Sequence, residues 1–236
     1  MAEPLVLLPG AMCDARLYWD ALVRFSGRHA VQIIPLTAAM TVADLALSVL
    51  RAAPARFALV GLGLGGAVAL EVARRAPERL HRLALISTDP LAETPQTAGA
   101  RELRILAAQS GRLDEAMALD IPDAALAPGA DRQAVRRLLG EMGKSLGGKV
   151  YIRQARAMQK RPDQQKTLRR LLLPTLVLCG AHDSVVLPRR QQFTAELIPR
   201  ARYVALDEAG HLPPLERPGE TSAALAEWLA LPSALA

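Results

Sequence analysis

Six short apolar runs recur along the chain, and none of them alternates with polar residues. They are Leu5–Leu8, Val31–Ile34, Phe57–Val60, Leu83–Ile86, Leu176–Cys179 and Tyr203–Leu206. Runs of this length, bounded by turn-forming residues, suit strands buried on both faces of a parallel sheet. Between them lie segments with apolar residues at helical spacing, such as Gly66–Arg75, Leu187–Leu197 and Glu220–Leu231. The β–α alternation predicts an α/β fold, with a doubly wound, mostly parallel sheet and right-handed crossovers.

One interval breaks the rhythm. Between Ser87 and about Leu172 no strand-like run stands out, only helix-like pieces such as Gly99–Gln109, Ala130–Met142 and Lys149–Gln159. This predicts a helical cap insertion over 88–172, set into a core built from 1–87 and 173–236. A length of 236 residues fits one large α/β domain carrying such an insertion. With 51% hydrophobic and 22% charged residues, a disordered or fibrous chain is excluded. No apolar run reaches the ~18–20 residues a membrane-spanning helix needs; the nearest, Phe57 to Leu70, is interrupted by glycines. Ahead of Leu5-Val6-Leu7-Leu8 there is no basic leader and no cleavage site, so no export signal is expected. Cys13 and Cys179 are too few for a disulfide framework and lack zinc-ligand spacing. The expectation is a soluble cytoplasmic protein.

The net charge of +6 is unevenly spread. From Arg132 to Arg170 there are eight Arg and four Lys against only Glu141 and Asp163, so the remainder of the chain is net negative. So local an excess, with aromatic content of 3%, argues against a nucleic-acid-binding protein. Arg132 and Arg136 are four apart, and Arg153, Arg156 and Lys160 follow at three and four, so each set can share a helix face. Two readings apply: a solvated Arg-rich surface, or a landing patch for an acidic partner.

The most informative stretch is Phe57-Ala-Leu-Val-Gly61-Leu62-Gly63-Leu64-Gly65-Gly66, a buried strand that runs into glycines and then opens a helix. Glycines 61, 63 and 66 fit the dinucleotide fingerprint G-x-G-x-x-G, and Asp89 lies ~20 residues further on, as a ribose-binding carboxylate should. The same residues fit the nucleophile elbow G-x-S-x-G, with Gly61 and Gly65 in the flanking places and Gly63 where serine belongs. Taken alone, the segment leaves both motifs open.

Three other places decide between them. Pro9-Gly10-Ala11-Met12 follows the first strand and can aim a backbone N–H at the mouth of the sheet. Gly180-Ala181-His182-Asp183 sets a carboxylate at a strand's carboxyl end, and Gly210-His211-Leu212-Pro213-Pro214-Leu215-Glu216 sets a histidine on the next such loop. A dinucleotide-binding protein needs neither of these last two. The order elbow, Asp, His is that of an α/β-hydrolase. On these four motifs the chain resembles the α/β-hydrolase superfamily, specifically its small capped serine carboxylesterases, over nearly all residues outside the insertion. The resemblance implies that Asp183 orients and charge-balances His211, that His211 is the general base, and that Ala11 and Leu64 supply oxyanion-hole amides. It also implies a small-molecule ester or acyl substrate and no metal or organic cofactor. Because the superfamily includes esterases acting on acyl-carrier substrates, it makes an acidic carrier a candidate partner for the basic insertion.

Gly63 departs from the family. Glycine cannot attack a carbonyl, and loss of a triad serine costs on the order of 10⁶-fold in turnover, ~8 kcal/mol of barrier. Three accounts remain: an inactivated variant of a serine esterase, an acid–base enzyme such as a lyase or cofactor-free oxygenase using the His211–Asp183 dyad, and a non-catalytic ligand-binding protein. A nucleophile elbow should have positive φ at residue 63, so Gly63→Ser is expected to lower stability by ~1 kcal/mol. Asp89 is the rival acid. His182 reads as a turn residue, His29 and His81 as surface groups, and Ser87 and Ser184 as turn or strand-end residues off the elbow. Cys13 reads as a small buried filler, Glu71 and Glu93 as solvated, and Trp19 and Trp228 as packing residues.

Overall fold

A computed structural model of the chain describes residues 2–129 and 131–232. The strands are β1 (Leu5–Leu8), β2 (Val31–Ile33), β3 (Phe57–Leu62), β4 (Leu80–Ile86), β5 (Thr175–Gly180) and β6 (Ala201–Leu206). They form one sheet in the order β2-β1-β3-β4-β5-β6, and every neighbouring pair is parallel. Helices α1 (Trp19–Phe25), α2 (Val42–Ala52) and α3 (Leu64–Arg75) accompany the first three strands. Between β4 and β5 come α4 (Pro95–Gln109), α5 (Leu113–Asp120), α6 (Arg132–Leu146), α7 (Gly148–Gln159) and α8 (Gln165–Leu168), and no strand among the described residues. Ala130, where the sequence pattern starts a helix, lies outside the described residues. The chain ends on α9 (Pro188–Glu196), α10 (Pro213–Glu216) and α11 (Pro218–Leu229) around β6.

Alternation along each strand sorts the core into two layers. Leu5 and Leu7 of β1, Ala58 and Val60 of β3 and Leu176 and Leu178 of β5 join Phe25 of α1 and Leu225 and Trp228 of α11. The same layer takes in Ile105, Met117, Leu139 and Tyr151 from the inserted helices. Val6, Leu8, Leu59, Leu83, Leu85 and Val177 face α2, α3 and α9. The two edge strands depart from the two-faced burial expected of them. β2 is half-buried throughout, and in β6 only Leu206 is buried, because each has a strand neighbour on one side alone.

β4 begins three residues before its apolar run and takes in a charge. Arg82 is 4% exposed. Its Nε ion-pairs with Glu3 at 2.5 Å and its Nη1 donates to the Trp228 and Leu231 carbonyls at 2.8 Å. Trp228 is buried as expected, whereas Trp19, expected to pack, is 65% exposed on the outer side of α1.

Glu71 and Glu93 are buried rather than solvated. The Glu93 side chain is 3% exposed and ion-pairs with Arg101 at 2.5 Å and Arg161 at 2.8 Å. Glu71, on α3, accepts from Arg74 at 2.6 Å, Arg75 at 2.6 Å and Gln164 at 2.9 Å. Burial alone would push the Glu71 carboxyl up, but the hydrogen bonds from Arg74, Arg75 and Gln164 outweigh it and hold it at about 2. No described helix is long and apolar enough to cross a membrane.

A depressed carboxyl stabilises the fold above its unfolded pKa, and this contribution fades as pH falls through the folded value. Glu71→Gln is therefore expected to cost about 1–3 kcal/mol at pH 7 in denaturant melts. The gap to the unaltered protein should narrow steadily as pH drops from about 4.5 towards 2. A gap independent of pH would contradict this account.

Candidate active site

β3 runs through Gly61 and Leu62 in register with β4 and delivers residue 63 to the carboxyl edge of the sheet, where α3 begins at once. Gly63 has φ +53° and ψ −109°. Its φ is the left-handed value expected, but ψ lies far from the +30° to +60° at which L-residues tolerate that region. A Cβ built on Gly63 would point at His211, 3.9 Å from Nε2 and 4.0 Å from the Ser87 carbonyl. The flanking glycines are required by close approach: a Cβ on Gly61 would run into the Gly65 carbonyl, and one on Gly65 into that of Leu8.

His211 follows β6, and its Nδ1 lies 3.0 and 3.1 Å from the two Asp183 oxygens. Asp183 is 2% exposed. Its Oδ1 accepts the Val185 and Val186 amides, each at 2.9 Å, and its Oδ2 accepts Gln191 Nε2 at 3.2 Å. A carboxylate held this way accepts from Nδ1 and turns Nε2 towards the elbow. Asp89, the rival acid, is half-buried, accepts the Leu91 amide at 3.0 Å, lies 4.0 Å from Arg190 and makes no hydrogen bond to His211.

The Ala11 and Leu64 amides belong to residues lining the same cavity of about 450 Å³ as Gly63 and His211. Leu64 opens α3, so its amide has no intrahelical acceptor and sits at the positive end of the helix dipole. The Pro9–Met12 turn carries a non-glycine positive φ of 54° at Met12.

A family model described as the alpha/beta hydrolase fold matches residues 25–218. The chain belongs to the alpha/beta hydrolase family. A pimeloyl-acyl-carrier-protein methyl ester esterase of Chromobacterium violaceum is 29% identical over 213 residues, covering 88% of this chain and 82% of that protein. Another protein of that name, from Aromatoleum aromaticum, is 31% identical over 171 residues, covering 67% and 68%. Among solved structures, a thermophilic esterase from Thermogutta terrifontis superposes with a TM-score of 0.86 at 24% identity, covering 97% of this chain and 90% of that one.

Several residues that shape this candidate site escape sequence reasoning. Gln154 of α7, 2% exposed, accepts the Met12 amide at 2.8 Å and donates to the Leu36 carbonyl at 2.9 Å, pinning the turn that carries Ala11. Nothing local marks it, since its partner is 142 residues away. Glu216, 7% exposed, accepts the Gly210 amide at 2.9 Å, the Leu212 amide at 2.8 Å and the Ala127 amide at 2.7 Å. The His211 amide donates to the Ala125 carbonyl at 2.7 Å, tying the same loop to the inserted segment.

Among the described residues, the other nucleophile candidates make no hydrogen bond to the imidazole. Ser87 has φ +46° and a buried Oγ with no hydrogen-bond partner, and Ser184 is exposed. Burial, then the Asp14 carboxylate, pushes the Cys13 thiol up to about 12, so it is not a thiolate at neutral pH. His182 is exposed. The five cations expected on open helix faces are not equally open. Arg132 donates to the Ala127 and Leu126 carbonyls, Arg136 to Ile121 and Asp123, and Arg156 to Glu102 and Gln159. Arg153 and Lys160 remain exposed, although Arg153 reaches the Thr37 carbonyl at 3.2 Å.

Glu216→Ala strips three buried amides of their acceptor and is expected to cost about 3 kcal/mol. Hydrogen exchange should accelerate at Ala127, Gly210 and Leu212 before it does in the central strands. Unchanged exchange at these amides would show that the carboxylate does not hold the loop.

Proposed function

We propose that the cavity is an acyl-ester hydrolysis site whose nucleophile position is held in this chain by Gly63. The observation that carries the reading is the direction of the residue 63 Cα–Cβ axis. With a Cβ 3.9 Å from His211 Nε2, a serine hydroxyl turned towards the ring falls at about 2.5–3 Å from that nitrogen, within hydrogen-bond range. In a serine-bearing form, Nε2 takes the hydroxyl proton as Oγ attacks the ester carbonyl. The oxyanion meets the Ala11 and Leu64 amides, which are fixed before the reaction begins. The alkoxide leaves with the proton from His211, and a water deprotonated by His211 then releases the acid. Residues 88–172 act as the cap over this site.

Without the serine, the oxyanion amides and substrate binding supply only a residual rate of ~10³–10⁴ over water. The chain as it stands therefore binds esters and turns them over slowly. Gly63→Ser is expected to raise kcat on p-nitrophenyl acyl esters by roughly 10³-fold or more, and adding His211→Ala should abolish the gain. The substitution should lower stability by about 1–3 kcal/mol, more than φ alone would predict, because ψ is also unfavourable. No gain in ester turnover would overturn this reading in favour of the His211–Asp183 pair acting as a base on water or on a substrate proton.

For an acidic carrier, the cations left open among those five are Arg153 of α7 and Lys160 just past its end. Support comes from the names of the relatives, which act on an acyl-carrier substrate. In the Gly63→Ser background, Arg153→Glu with Lys160→Glu should raise KM for an acyl-carrier ester several-fold at low salt and leave KM for a small neutral ester unchanged. Equal effects on both would mark these cations as an ordinary solvated surface.

A further inference from the structure

The cavity wall carries charge as well as apolar surface. Four guanidiniums line it, those of Arg101, Arg104, Arg161 and Arg190, against the carboxylates of Asp89, Glu93 and Asp120, which leaves one positive charge unmatched. Arg161 donates through Nε to the Leu91 carbonyl at 2.8 Å and through Nη1 to Glu93 at 2.8 Å and the Met158 carbonyl at 3.1 Å. Arg101 grips Glu93 at 2.5 and 2.7 Å and reaches Asp120 at 3.6 Å. Arg190 is exposed and sits 4.0 Å from Asp89.

Arg104 makes no hydrogen bond among the described residues, unlike Arg101 and Arg161, and is more buried than Arg190. Its Nε lies 2.8 Å from Asp120 Oδ1 but is buried without a hydrogen-bond partner, and its side chain is 19% exposed. The other Asp120 oxygen accepts the Tyr151 hydroxyl at 2.6 Å. Burial, then the Asp120 carboxylate, pushes the Tyr151 phenol above its ordinary range, so it stays a donor and fixes the carboxylate in turn. Among the described residues, no acceptor meets the two terminal amino groups of Arg104.

We infer that the site takes an ester bearing a second, carboxylate end, a half-ester of a small dicarboxylic acid, and that the terminal amino groups of Arg104 bind that carboxylate. This rests on the reading of the cavity as an ester site. A guanidinium held in a cavity wall by charge alone, with none of its N–H groups hydrogen-bonded to the protein, keeps its donors for a carboxylate, which can take two of them at once. The single unmatched charge equals that of a monoanion; a phosphate dianion would leave the wall negative. The volume of about 450 Å³ is that of a small-molecule site.

The unaltered chain tests this directly by calorimetric titration, because it consumes ester slowly. Monomethyl adipate is expected to bind at least tenfold more tightly than dimethyl adipate, with the advantage shrinking as salt rises. Arg104→Gln should bring the two to parity. Arg104→Lys, which keeps a cation beside Asp120 but loses the fork, should lose most of the preference while remaining folded. Arg137→Gln, the same charge change at an exposed arginine, should retain it. Equal binding of the two esters, or equal effects of the Arg104 and Arg137 changes, overturns the inference. Inorganic phosphate should bind more weakly than monomethyl adipate, and the reverse order overturns the carboxylate assignment. These titrations do not depend on turnover. A Gly63→Ser protein inert on every ester would remove the ester reading, whereas the half-ester preference is decided by the binding data.

Discussion

The Glu216 carboxylate joins two parts of the chain that meet only in the folded protein. It takes two amides from the loop that carries His211 and one from the inserted segment at Ala127. A carboxylate this buried is tolerable only when hydrogen bonds replace its hydration, and backbone N–H groups held by the fold do so without losing side-chain freedom. The imidazole is thus fixed from both ends of its surroundings: Asp183 sets the ring, and Glu216 and the Ala125 carbonyl set the backbone beneath it. Gln154 makes the corresponding tie from α7 to the turn after β1. The geometry of the site therefore depends on the inserted helices as much as on the sheet.

That dependence explains which features were legible in the sequence. The four central strands were readable because burial on both faces leaves an unmixed apolar signature. The turns after β1, β3, β5 and β6 were readable because each carries glycine, or a charged residue beside glycine, at a strand end. The supports of those turns were hidden. Gln154 and Glu216 act through contacts that no local periodicity encodes, although Glu216 lies only five residues beyond His211. Glu71 had a signal that went unused, since Arg74 and Arg75 stand three and four residues on, the spacing at which side chains meet on a helix. Glu93 had none, because Arg161 approaches it from 68 residues away. The basic stretch misled in the opposite sense: a run of arginines gives the charge but not the carbonyls that Arg132 and Arg136 face.

Position 63 sets conformational ease against chemistry. The elbow backbone is costly for any residue with a Cβ, and families that keep a serine there accept that strain to hold a hydroxyl in front of an imidazole. Glycine relieves the strain and removes the attacking atom at the same time. Gly61 and Gly65 close the turn tightly, Gly65 against Leu8 of β1, and Asp183 holds His211 with Nε2 on the side of residue 63.

The cavity wall supports the same view from its energetics. Burying guanidiniums and carboxylates together is rarely a route to stability, because the desolvation cost rivals the attraction gained. Apolar residues of similar volume would pack the underside of α4 and α5 with less penalty. The network of Glu93, Arg101, Arg161, Asp120, Arg104 and Tyr151 is therefore better explained by the interior it presents than by the fold it supports. A ligand with a uniformly apolar tail would have to cover these charges without pairing with them, whereas an anionic end meets an arginine whose donors the protein leaves unused. The charge left unmatched inside the cavity thus bears on the choice of ligand independently of whether residue 63 carries a hydroxyl.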